Sequence, residues 1–236
     1  CLATDGETYG HHDKFAEMGL AHLLKYELRA RGIQIVNFGY YLSKHPPSWE
    51  TEIREETSWS CAHGISRWKG KCDCGAEGKS TAWREPLRAA LDWLRDRLAQ
   101  HAQRHARALV RDFWEVRDDY IDVILDPSPE NFDRFCKRHL IVPQKPELKR
   151  QLLWLLEAQR LSMFMYTSCG WFFSDIGGLE AVQNLKYAAR AIELARTVGA
   201  VEGLEEDFIR RLKCALSSDP KLKDGARIYR QLKGRR

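Results

Sequence analysis

No stretch of this 236-residue sequence approaches the roughly 18 consecutive apolar residues that a membrane span requires. The residues ahead of the first motif do not read as a signal peptide, and no internal repeat or low-complexity tract interrupts the chain. A preponderance of one charge is missing too. Thirty-eight basic residues face 33 acidic ones, interleaved along most of the length, so the formal net charge of +5 describes no extended nucleic-acid surface. Only residues 221–236, KLKDGARIYRQLKGRR, form a basic run, and a solvated or frayed terminus accounts for it. Cysteine is sparse: Cys1, Cys61, Cys72, Cys74, Cys136, Cys169 and Cys214 are odd in number and scattered, unlike a secreted disulfide scaffold. Mostly reduced thiols and a cytoplasmic location are expected. With 44% hydrophobic residues, the chain has the material for one large core or two small ones.

What is present has two textures. Residues 1–42 read as strand, helix, strand. Leu20, Leu23, Leu24 and Leu28 recur at helical spacing, Gly32 stands where a helix ends, and IQIVNFGYYL reads as a buried strand. This predicts a βαβ unit, the building block of a parallel sheet or (β/α) barrel. Residues 43–83 form a long loop containing Trp49, Trp59, Trp68 and Trp83, too aromatic for a disordered segment. From Pro86 onward the pattern is helical. EPLRAALDWLRDRL carries Leu87, Leu91, Leu94 and Leu98 on one face and extends toward Ile124. SPENFDRFCKRH has Ser128 as cap, and the run beginning at Pro146 is apolar enough for a central helix. GLEAVQNLKYAARAIELARTVG repeats its apolar stripe up to Gly199, and helices around 204–216 and 226–232 complete a bundle. The expected fold class is therefore α/β plus α: the last βαβ part of a barrel at 1–42, a cleft loop at 43–83, and a helical bundle at 84–236. Since a βαβ unit cannot close a sheet alone, earlier strands are expected upstream of Cys1.

The opening CLATDGETYGHH concentrates ionisable and flexible groups after a strand-like run, as a site at a strand end would. Asp5 could donate a proton near neutral pH if burial or a neighbouring carboxylate such as Glu7 raised its pKa. Against this, Asp-Gly is an ordinary turn signal. His11 and His12 admit a metal site with Asp5, but adjacent histidines diverge by about 100° on a helix, unlike the i, i+4 pair that shares an ion. His11 reads better as a hydrogen-bonding contact to a sugar.

DGETYGHH is similar to the acid-bearing motif of glycoside hydrolase family 57. NFGYYLSKHPP, SWSCAHGISRWKGKCDCG, RDDYIDVILDPSPENFDRF and MFMYTSCGWFFSDIGGLEAVQNLKYAARAIELA resemble successive blocks of that family's subgroup carrying the domain of unknown function 3536. The resemblance spans nearly the whole chain and rests most heavily on YTSCGWFFSDIGG and SWSCAHG. It implies a retaining α-glucan-active enzyme with an incomplete (β/α)7 barrel, a helical C-terminal domain beside the cleft, and no cofactor. Hydrolysis, transfer and branching all occur in the family. Retaining chemistry uses two carboxyl groups about 5 to 5.5 Å apart. Asp5 matches the acid/base, whereas the nucleophilic glutamate belongs to an earlier strand and is expected upstream of this chain. The partners implied are an α-glucan or maltooligosaccharide substrate and the remaining barrel strands, with neither nucleic acid nor membrane.

In SWSCAHGISRW, Trp59 and Trp68 offer flat platforms for pyranose rings and His63 a hydroxyl partner, or else the tryptophans pin the loop to the bundle. Trp171 reads as core. Cys61, His63, Cys72 and Cys74 could supply four soft ligands, but C-x10-C-x-C is not the common C-x2-C spacing, and reduced thiols in a folded loop are the expectation. Two other functional classes fit less well. A metal-dependent polysaccharide deacetylase would use Asp5 with the histidines, and a non-catalytic carbohydrate-binding or scaffolding domain would use no acid at all.

Overall fold

The computed structural model describes residues 3–70, 72–74, 78 and 80–234. Residues 1–2, where the first expected strand begins, lie outside the described residues. The chain divides into two compact units, Cys1–Arg54 and Glu55–Arg236.

The expected βαβ unit is not formed. Among the described residues there is no strand, only isolated bridges such as Val110 with Leu140, and the fold is helical throughout. A strand needs a neighbour to take up its backbone N–H and C=O groups. The first residues satisfy theirs locally instead: Thr8 N–H donates to Asp5 O at 3.1 Å and Gly10 N–H to Asp13 O at 3.0 Å, around a 3₁₀ turn at Gly6–Thr8. The leucine-bearing helix does form, as α1 (Ala16–His22), a π segment (Leu23–Glu27) and α2 (Leu28–Ala30). It stops where Gly32, at φ 68°, adopts the left-handed conformation, with Ile33 N–H returning to Leu28 O at 2.8 Å. The second expected strand is not formed: residues 33–37 adopt no regular secondary structure. Asn37 then caps α3 (Phe38–Lys44), its Oδ1 accepting from Tyr40 N–H at 2.8 Å, and a capped helix wins over an unpaired strand. Among the described residues of this unit none is buried, and Ile33, Ile35, Phe38 and Leu42 are exposed.

The second unit begins with a loop containing α4 (Ser66–Lys69) and continues into the bundle. α5 (Arg84–Ala106) presents Leu87, Leu91, Leu94, Leu98 and Ala102 as one buried stripe. It ends short of Ile124: Asp112 accepts from Trp114 N–H at 2.8 Å and starts α6 (Phe113–Asp119), followed by α7 (Ile121–Leu125). α8 (Pro129–His139) begins at its Ser128 cap, and α9 (Pro146–Phe164) is central to both hydrophobic clusters, burying Leu152, Leu155 and Leu156 in one and packing Leu161 against the other. α10 (Leu179–Val198) packs against it and buries Ala181, Ala188, Ala189, Ala191 and Ala195, small side chains that allow close helix approach. α11 (Leu204–Leu212) and α12 (Gly225–Lys233) complete the bundle. Within the basic run, Gly225–Lys233 is a core helix rather than a solvated terminus, with Ala226, Ile228 and Tyr229 buried. Among the described residues no helix is long and apolar enough to cross a membrane.

The connection from α9 to α10 is held by hydrogen bonds to the buried Asn184 and the half-buried Asp175. Gly170, in the 3₁₀ turn Ser168–Trp171, packs so closely on Asn184 that a Cβ would overlap its amide, while Asn184 Nδ2 donates to Thr167 O at 3.0 Å. Asp175 accepts from Gly177 N–H at 2.7 Å, Ser218 N–H at 2.6 Å, and the Ser217 and Ser218 hydroxyls at 2.9 and 2.7 Å. Burial of Asp175 acts to raise its pKa, but these hydrogen bonds outweigh it and hold the carboxyl below its ordinary value.

Gly170→Ala is expected to destabilise the fold by about 1–3 kcal/mol, as overpacking does, read as a lowered urea midpoint with an unchanged slope. Asp175→Asn is expected to lose about 1–3 kcal/mol near neutral pH, since hydrogen bonds to a charged acceptor are replaced by neutral ones. Because the folded-state pKa is depressed, that advantage of the wild type is complete above the unfolded carboxyl value of about 3.9 and fades as pH falls through the folded one. Urea titrations of both proteins at several pH values check it; a difference that grows with acidity contradicts it.

Candidate functional site

One end of the bundle gathers the chemically distinctive residues of the second unit. Its first component is the turn Cys61-Ala62-His63-Gly64. Gly64 has φ 62° and a Cβ there would collide with the Glu56 carbonyl, so only glycine closes this turn without strain. Gly64 N–H donates to Cys61 O at 3.1 Å, and the Ser66 hydroxyl donates to His63 O at 2.8 Å. The second component is Cys72-Asp73-Cys74. Arg84 donates through Nη1 to the Cys72 carbonyl, and the Thr81 hydroxyl donates to Asp73 Oδ1 at 2.8 Å.

These two pieces put four soft donors together. Cys61 Sγ lies 3.5 Å from Cys72 Sγ and 3.9 Å from His63 Nδ1; His63 Nδ1 lies 3.7 Å from Cys72 Sγ and 3.2 Å from Cys74 Sγ. All four ligand atoms fall within 4.8 Å of one another, and among the described residues this is the set of three or more histidine, cysteine or acidic donors that converges. Burial acts to raise the Cys72 pKa, yet hydrogen bonds from the Cys74 backbone, the other two thiols and His63 bring it down to about 7. Cys74 moves the other way, chiefly through its hydrogen bond with Cys72. A cavity of about 430 Å³ opens beside them, lined by His63, Ser66, Cys72, Asp73 and Cys74.

The third component is the loop at 167–178. Trp68 Nε1–H donates to Ser168 O at 2.9 Å, Trp83 Nε1–H to Ser174 O at 3.3 Å, and Trp171 Nε1–H to Arg84 O at 3.2 Å. Arg84, fully buried, also donates through Nη2 to the carbonyls of Phe172 and Phe173 at 3.5 and 3.2 Å. Burial and the neighbouring Arg67 lower its pKa; Cys72, Asp73 and Cys61 act in the opposite direction. Arg67 is itself 4% exposed, with its guanidinium 4.3 Å from the centre of the Phe172 ring. Trp171 is buried, Trp68 packs half-buried against the main core, and Trp59 is 86% exposed.

The acidic motif of the first unit is arranged differently. Asp5 is exposed and caps the 3₁₀ turn, its Oδ1 accepting from Glu7 N–H at 3.4 Å, which is the turn role that Asp-Gly signals. Glu7 pairs with His12 Nε2 at 3.7 Å, and the His11 ring meets that of His12 edge-on at 4.8 Å. Asp5, Glu7 and the two histidines are not among the donors that converge.

Sequence reasoning passed over Arg84, Arg67 and Asp175, which bind the loops into one body. Buried arginines carry no signature distinguishing them from the exposed ones around them. The Cys/His set was visible as two pairs of i, i+2 spacing, but only the fold shows that the pairs face each other.

A family model described as Domain of unknown function (DUF3536) matches residues 80–233. No curated protein and no solved structure matches the chain. The match takes in the whole bundle from α5 to α12, including Arg84 and the loop at 167–178. The chain belongs to the DUF3536 family.

Proposed function

We propose that this chain is the DUF3536 part of a retaining α-glucan-active enzyme, a glycosidase or glucanotransferase, and that the loop-bearing end of the bundle is its sugar-binding face. The observation that carries the reading is the meeting of the two blocks that most resemble glycoside hydrolase family 57. Arg67, from SWSCAHGISRW, donates to Ser60 O at 3.5 Å and stacks on Phe172 of YTSCGWFFSDIGG. Trp59 in the first block and Phe172 and Phe173 in the second are each exposed, the kind of apolar surface a pyranose ring stacks on. With Trp68 engaged against the core, Trp59 takes the platform role. In this reading Asp5 is the acid/base, Glu7 and His11 are substrate contacts, and the nucleophilic glutamate comes from outside the residues described. The thiols, free in all six described cysteines, suit a cytoplasmic enzyme.

A second reading, a non-catalytic carbohydrate-binding module, has one observation in its favour: Asp5 is exposed and occupied as a turn cap. The deacetylase reading lacks a comparable one, because Asp5, His11 and His12 do not gather as a ligand set.

Two measurements separate these readings. Maltooligosaccharide binding by titration calorimetry is expected to weaken by about tenfold in Trp59→Ala, the loss of one aromatic anchor. Turnover of amylose by the full-length gene product is expected to fall by about 10²- to 10⁴-fold in Asp5→Asn with glucan binding kept. Binding that Trp59→Ala weakens, without turnover in the wild type, selects the binding module. Neither binding nor turnover removes both readings.

A further inference from the structure

We infer that Cys61, His63, Cys72 and Cys74 hold a single tetrahedral zinc ion as a structural centre. The geometry comes first. A tetrahedral Cys₃His site with Zn–S of about 2.3 Å and Zn–N of about 2.0–2.1 Å has ligand-to-ligand edges of about 3.5–3.8 Å. Donor separations of 3.5, 3.9, 3.7 and 3.2 Å surround that value, and no pair exceeds 4.8 Å. The Cys61 to Cys72 separation of 3.5 Å is far from a disulfide bond of about 2.05 Å. The donors are fixed by other groups, not merely adjacent: Gly64 turns the histidine back, Arg84 holds the Cys72 carbonyl, and Thr81 holds Asp73 between the two cysteines.

Charge supplies a second, independent argument. Arg67 and Arg84 are buried, the Nε of each is without a hydrogen-bond partner, and the charges that act favourably on Arg84 are those of Asp73 and the Cys72 and Cys61 sulfurs. Buried guanidinium groups require nearby negative charge. Asp73 supplies one negative charge against two guanidinium groups; three neutral thiols add none, whereas three thiolates around a divalent ion add a net charge of −1 at the centre. Metal uptake releases the three thiol protons and forms four metal–ligand bonds.

The donor set selects the ion and its role. Three thiolates and an imidazole in a tetrahedral cage favour zinc over oxygen-seeking cations, and four protein ligands leave no open position for substrate or water. The centre therefore ties residues 61–64 to 72–74 and fixes the loop that carries Trp59 and Trp68. This inference does not depend on the glucan reading.

The test is the metal content of the chain purified without chelator, by mass spectrometry of the eluted ion, followed by replacement with cobalt(II). The expected result is one zinc per chain, lost in Cys72→Ser and Cys74→Ser, kept in His63→Cys and in the remote Cys214→Ser. Cobalt is expected to give the intense visible bands and sulfur charge-transfer absorption of a tetrahedral thiolate site. Because Cys72→Ser could fail to fold, the cobalt spectrum of the wild type stands as the independent readout. A metal-free, folded protein that takes up neither ion overturns the inference. So does a Cys61–Cys72 disulfide in the peptide map, or a weak octahedral cobalt spectrum.

Discussion

The constraint on which the second unit depends is the burial of Arg84. A guanidinium out of water must have its donors taken and its charge answered. Arg84 meets the first demand by donating to the carbonyls of Cys72, Phe172 and Phe173, while its own carbonyl accepts from Trp171. Those partners lie on two loops about a hundred residues apart in sequence, so satisfying one side chain fixes their relation to each other and to the start of α5. Backbone carbonyls give it no formal negative charge, which is why Asp73 and the Cys72 and Cys61 sulfurs near it matter.

From that point the face follows. Trp83 and Trp68 lock to the 167–178 loop through their indole N–H groups, Asp175 ties the same loop to Ser217 and Ser218, and Gly170 lets it sink onto Asn184. Only after these ties are made do Trp59, Phe172 and Phe173 remain as exposed aromatic surface.

The bundle was legible in the sequence because its helices announce themselves twice, by stripe and by cap. Ser128 begins α8 and the Leu87, Leu91, Leu94, Leu98 stripe faces the core, as spacing predicts. Two expectations failed, each for a physical reason. The β-branched run at 33–36 favours a strand locally, but with no strand to pair with, Asn37 diverts the chain into α3. The helix expected to run toward Ile124 stops at Ala106, because Asp112 caps a new one. The site was half legible. Aromatic and cysteine residues stood out, while the arginines and glycines that orient them are ordinary in one dimension and acquire meaning only where the chain folds back on itself.

The most direct test of this account is hydrogen–deuterium exchange of the wild type beside Arg84→Met. If Arg84 is the tie, exchange rises together in the segments 61–74 and 167–178, while the amides of α9 and α10 keep their protection. Loosening confined to one of the two loops, or spread evenly through α9 and α10, would contradict it.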